Sequence, residues 1–154
     1  MLIRWLLAAI HLLAYGFALV SILRRSVALR HCSTSAGLPA VFHADNGWAV
    51  SAVVLIVTGA MRAFGGYEKG ADYYLHEPLF HLKMGALVLI LLLEIAPMIG
   101  LIRWRIALKK GVEPDLGRAR RYAGIGVVQL VLLVLMVFAA TGMARGIGLP
   151  DNAV

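Results

Sequence analysis

"LFHLKMGALVLILLLEIAPMIGL" runs from Leu79 to Leu101 and decides how the rest of the chain is read. It is almost wholly apolar, yet it holds His81 and Lys83 near its start and Glu94 well inside. At 1.5 Å rise per residue, about 20 apolar residues cross the hydrocarbon core of a bilayer. Three further runs meet that length: Ile3–Leu23, Ala40–Met61 and Tyr122–Met143. The chain has 154 residues and is 61% hydrophobic, so little is left from which to build a soluble domain. The expectation is an all-α, integral-membrane four-helix up-down bundle, with residues 1–154 forming one transmembrane domain.

The net charge of +7 is segregated by loop. Arg24, Arg25 and Arg30 follow the first run. Arg103, Arg105, Lys109, Lys110, Arg118, Arg120 and Arg121 lie between the third and fourth. The second loop has only Lys69 beyond Arg62 at its edge. Basic loops stay in the cytoplasm, so both termini and the second loop are expected outside, periplasmic in a Gram-negative cell. Topology thus accounts for the base, which would face anionic lipid in a bacterial inner membrane, and nucleic acid is not an expected partner. The first run is too long for a signal peptide and no small-x-small site follows it. Arg24 and Arg25 read as the stop that ends an anchored helix. Cys32 is the one cysteine, which excludes an intramolecular disulfide and a cysteine-based metal motif.

Aromatics mark the expected interfaces, with Trp5, Phe64, Tyr67, Tyr73, Tyr74 and Phe80 outside and Trp48, Trp104 and Tyr122 inside. Gly47, Ala49, Ala52, Gly124 and Gly126 are small enough for close helix approach. Gly65–Gly66 breaks the second helix. Pro78 suits the first turn of the third, and Glu77 favours the positive end of its dipole.

Ionisable groups inside spanning helices cost at least about 2.5 kcal/mol at mid-membrane and so usually face the bundle interior. His11 lies roughly 12 Å below the outer end of helix one, on the general face of Arg4, Ala8, Tyr15, Ala18 and Ile22. It is either a neutral histidine bonded to a facing helix, or a haem ligand or proton carrier. Lys83 and Glu94 share a face with Leu87 and Ile90. Lys83 either snorkels outward or faces a pocket. Glu94 needs a partner or a proton, and Gln129 lies at a similar depth. Ser51, Thr58 and Arg62 follow helical spacing in helix two. Arg62 suits a carboxylate or a haem propionate. Asp45, roughly 100° off that face, is either part of the inner polar set or a helix-start acid. His81 points about 160° away from Lys83, which fits poorly with His11 and His81 gripping one haem. His76, His81, Met61, Met84 and Met143 gather near the outer end, where histidine and thioether would suit copper(I).

His11, "TGAMRAF" at Thr58–Phe64, "EKGADYYLHEPLF" at Glu68–Phe80 and Lys83-Met84 together resemble a family of predicted bacterial inner-membrane proteins, the domain of unknown function twenty-two fourteen. That resemblance covers nearly the whole chain and implies no activity. More distantly, the layout is similar to the CopD copper-resistance membrane domain and to HemJ-type protoporphyrinogen oxidases. The latter have a histidine in the first helix and a His-x-Lys in a later one, as His11 and His81-Leu82-Lys83 do here. This resemblance implies a haem b-associated membrane oxidoreductase acting on a porphyrin or a quinone. His11 and His81 would be the metal ligands, Arg62 and Lys83 would hold propionates or an acidic substrate, and Lys83 and Glu94 would be the catalytic groups. The alternatives are a CopD-like copper or small-solute transporter and a structural or helper subunit. On every reading the lipid bilayer is an expected partner, and a homo-oligomer is a further candidate.

Overall fold

A computed structural model of the chain describes residues 1–66 and 76–147. Its architecture is all helical: α1 (Leu2–His31), α2 (Leu38–Phe64), α3 (Pro78–Lys109) and α4 (Ala119–Ala144), with a short 3-10 turn at Ser35–Gly37. All four helices are long and apolar enough to cross a membrane. The first part of the motif at 68–80, residues 68–75, lies outside the described residues, as do Tyr67, Tyr73 and Tyr74.

The helices overrun the apolar runs, and the overrun of α1 carries Arg25 into the bundle. No glycine or proline interrupts residues 24–31, so α1 continues through the two arginines expected to end it and stops only at Cys32. Likewise α3 continues to Lys109. At 30 and 32 residues these helices exceed the roughly 20 needed to span, so their basic ends project beyond the core. Pro39 opens α2 and Pro78 opens α3, each in the first turn where its missing N–H costs nothing.

Ser35 donates to Glu113 at 2.8 Å, which ties the first and third connections together at one end of the bundle. Trp104 Nε1 donates to the Asp115 carbonyl there at 2.9 Å. The two basic segments thus share one end, as an antiparallel bundle requires.

α1 packs closely against both α2 and α4, and α4 also packs against α3; α2 and α3 are not among the closely packed pairs. The middle of the core draws on all four helices, through Ala18, Ile22, Trp48, Ala86, Ile90, Leu133 and Met136. Toward the basic end it continues with Leu29, Leu38, Leu101, Trp104 and Tyr122, and at the other end with Ala63, Phe80 and Met143. Trp48, Trp104, Tyr122 and Phe80 are therefore core residues and not a belt, whereas Trp5 and Phe64 are exposed as expected of interface aromatics. Gly47 and Gly126 do mark close approaches. A Cβ on Gly47 would meet Ser21 Oγ at 2.7 Å, and one on Gly126 would overlap Ser26 Oγ. Gly124 has open space instead.

Candidate functional site

Ala18, Ile22, Arg25 and Leu29 succeed one another at helical spacing on the buried face of α1. Arg25 thus enters the interior, and its side chain is 0% exposed. A guanidinium taken out of water costs several kcal/mol unless nearly every donor is met by a charge. Here three helices meet it. From α3, Glu94 accepts two parallel bonds, Nη1 to Oε1 at 2.6 Å and Nη2 to Oε2 at 2.7 Å. From α2, Asp45 Oδ1 accepts from Nη1 at 2.9 Å. From α4, Gln129 Oε1 accepts from Nη2 at 3.0 Å. The guanidinium also lies 5.7 Å from the Trp48 ring centre, within cation–π range. Its Nε has no acceptor among the described residues.

Gln129 is itself saturated. Its amide donates to Glu94 Oε2 at 2.8 Å and to the Ile90 carbonyl at 3.2 Å. Asp45 reaches outward with its second oxygen, which accepts from Arg105 at 3.0 Å. Arg105 also donates to Asn46 Oδ1 at 2.9 Å and packs over Phe42. Arg105 is 32% exposed, so the chain Gln129–Glu94–Arg25–Asp45–Arg105 runs from the buried core to the rim of the bundle's basic end. Two cations balance two carboxylates. The cluster is neutral when all four are ionised, which is the form a membrane interior tolerates best.

The network also bridges the less closely packed seam between α2 and α3. Among the described residues, Asp45 and Asn46 on α2 are joined to Glu94 and Arg105 on α3 through Arg25 and Arg105. These ionic links add to the apolar contacts that α2 and α3 share in the core, such as Trp48 with Ala86 and Ile90.

Farther along the bundle the polar groups pair locally. His11 Nδ1 lies 2.7 Å from Thr58 Oγ1, whose own hydroxyl donates to the Val54 carbonyl at 2.6 Å. With the threonine proton so used, His11 is the donor through Nδ1. The Tyr15 hydroxyl donates to the Leu133 carbonyl and Ser51 to the Gly47 carbonyl.

The family model described as "Predicted membrane protein (DUF2214)" matches residues 3–148. The chain belongs to the DUF2214 family. The match takes in all four helices and thus every residue of the network. Neither a curated protein nor a solved structure matches this DUF2214 chain.

Of the residues singled out from sequence, Glu94 and Gln129 meet as expected, and Asp45 joins them. Lys83 does not reach Glu94, because eleven residues of α3 separate them by roughly 16 Å. His11 belongs to its own pair with Thr58, and Tyr15 does not enter the inner network. Arg62 and Lys83 are partly buried toward the opposite end of the bundle, and both engage neighbours there. His81 is exposed; its Nδ1 is 3.0 Å from the Glu77 carbonyl of its own helix, and its ring stands edge-on to Phe80. His76 is exposed too. Among the described residues no group of three or more histidine, cysteine or carboxylate side chains is placed to hold a metal ion.

Two participants escape sequence reasoning. Charge alone assigns Arg25 and Arg105 to loops, although Arg25 sits three residues after Ile22 on a face that stays apolar through Leu29. Glu77, expected as a dipole partner, makes no side-chain cap. It is wholly buried, and neither carboxyl oxygen has a hydrogen-bond partner among the described residues. Cys32 lies outside the spans, where burial pushes its thiol pKa up and leaves it a poor nucleophile.

Proposed function

We propose that this DUF2214 chain is a proton-handling protein of a bacterial inner membrane, with its basic end cytoplasmic and both termini outside. Glu94 is the group that exchanges a proton, and Arg25 is its standing counter-cation. The observation that carries this reading is the bidentate Arg25–Glu94 pair at the seam between α2 and α3. When Glu94 takes a proton, Arg25 keeps Asp45 as its one counter-charge in the network, which Arg105 already shares. The cluster then carries an uncompensated charge, and the ionic tie across the seam weakens. Proton occupancy and helix separation are thereby coupled through charges contributed by α1, α2 and α3, with Gln129 of α4 bonded to both members of the pair. Arg105, partly exposed at the rim, connects the cluster to water on the basic side. His11–Thr58 and the Tyr15 hydroxyl supply further polar stations toward the other side.

Proton uptake into proteoliposomes, driven by an imposed potassium diffusion potential, tests this. The wild type should carry protein-dependent uptake, and Glu94→Gln should abolish it while remaining folded. No uptake by folded wild type under either sign of potential would overturn the reading.

A b-type haem held by one histidine is the second reading. It is favoured by the Nδ1–Thr58 bond, because a ligating histidine characteristically fixes one ring nitrogen on a neighbouring polar group. The residues fit a single ligand, His11, and not a pair with His81, which is exposed and bonded back to its own helix. Haem would supply one-electron chemistry, while Arg62 and Lys83 would hold its propionates. A reduced b-type spectrum lost in His11→Ala would support this reading, and a haem-free protein expressed with haem supplied would remove it.

A further inference from the structure

Arg24 and Arg25 are neighbours with opposite fates. Arg25 is held inside the bundle by Asp45, Glu94 and Gln129. Arg24, turned about 100° away, is exposed and has no ion pair or hydrogen bond among the described residues. It stands at one end of a groove between α1 and α2. Two hollows of about 430 and 450 Å³ adjoin there, because Phe17 and Val50 line both. The far half is walled by Ile10, Leu13, Ala14 and Val54 with those two residues, and the near half closes on Arg24 and His43. Gly47 lines the near half, where a Cβ would meet Ser21 Oγ at 2.7 Å.

We propose that this groove is a binding site for one anionic phospholipid, with an acyl chain along Phe17 and Val50 and the phosphate on Arg24 beside His43. Charge complementarity selects this occupant. A cation on the lipid-facing side of a spanning helix must find an anion or reach water. Arg24 lies roughly 10 Å from the end of α1 and His43 roughly 8 Å from the start of α2, so both stand near headgroup depth. A neutral amphipath would fill the apolar half and leave the cationic end unmet. A free phosphate would meet the cation and leave the apolar half empty.

Native mass spectrometry of the detergent-purified chain, titrated with phosphatidylglycerol or phosphatidylcholine, tests the proposal. The wild type should hold one phosphatidylglycerol about fivefold more tightly than phosphatidylcholine. Arg24→Gln should erase that preference. Val50→Trp should weaken both lipids by filling the groove at an exposed position, and Arg30→Gln, another exposed base on α1, should change nothing. Inorganic phosphate should not displace the lipid. Equal binding of the two lipids by wild type, a preference that survives Arg24→Gln, or an equal loss in Arg30→Gln would each overturn the assignment. So would displacement by phosphate. None of these outcomes bears on proton uptake through Glu94.

Discussion

Arg25 and Glu94 should behave as one energetic unit. Glu94→Gln keeps an acceptor near Arg25 but removes a charge and one of two short bonds. Breaking a buried pair costs about 3–5 kcal/mol, and the retained amide lowers this to about 3. Arg25→Met strands Glu94 with Gln129 as its remaining partner, for about 4 kcal/mol. The double variant leaves Asp45 paired with Arg105 and places a flexible apolar side chain in the space. Its cluster is neutral again. Independent effects would total about 7 kcal/mol, whereas the geometry predicts about 4, a coupling of about 3 kcal/mol, at the upper end for contacting groups. The chain supplies its own reporter, since Cys32 is its one cysteine and is buried. Unfolding in mixed micelles can therefore be followed with a thiol-reactive dye. A double-variant cost equal to the sum of the singles within about 0.5 kcal/mol would refute the reasoning.

Other positions give independent outcomes. Thr58→Val should cost about 1–3 kcal/mol in the same assay, because His11 keeps its donor and loses the acceptor. Gly100→Ala drives a Cβ into the Tyr122 ring and should cost about 1–3 kcal/mol, while Gly124→Ala, with nothing within 4 Å, should be neutral or slightly stabilising. The raised Cys32 pKa has a definite sign. The contribution of the neutral thiol is fully present below the unfolded pKa of about 8.5 and is lost as pH rises toward the folded value. Wild type should thus lose stability above that pH relative to Cys32→Ala, with intrinsic tryptophan fluorescence as the probe.

The four spans and the polar interior were legible because both rest on one-dimensional signals. Apolar length marks a span, and an eleven-residue interval puts Glu94 on the inward face of α3 with Ile90. The Glu94–Gln129 bond followed from depth alone. What stayed hidden was the cation that organises the site. Arg25 carries the signature of a cytoplasmic flank, and only the continuation of the helical face through Leu29 argues otherwise. Pairing across helices is a three-dimensional fact. Asp45 meets Arg25 because α1 and α2 pack closely, and Arg105 reaches Asp45 because α3 runs on past its apolar run. The inner aromatics failed for a related reason. Trp48, Trp104 and Tyr122 fill space between helices, and an interfacial position in sequence does not specify which side of a helix faces lipid.

The proton-exchange role of Glu94 is tested most directly by infrared difference spectroscopy of the protein in lipid, with pH stepped under conditions where it stays folded. The account predicts a carbonyl band from a protonated carboxylic acid that rises in wild type and is missing in Glu94→Gln. A wild-type spectrum with no such band, or a band unchanged in Glu94→Gln, would mean that the network stays ionised throughout and only holds the helices together.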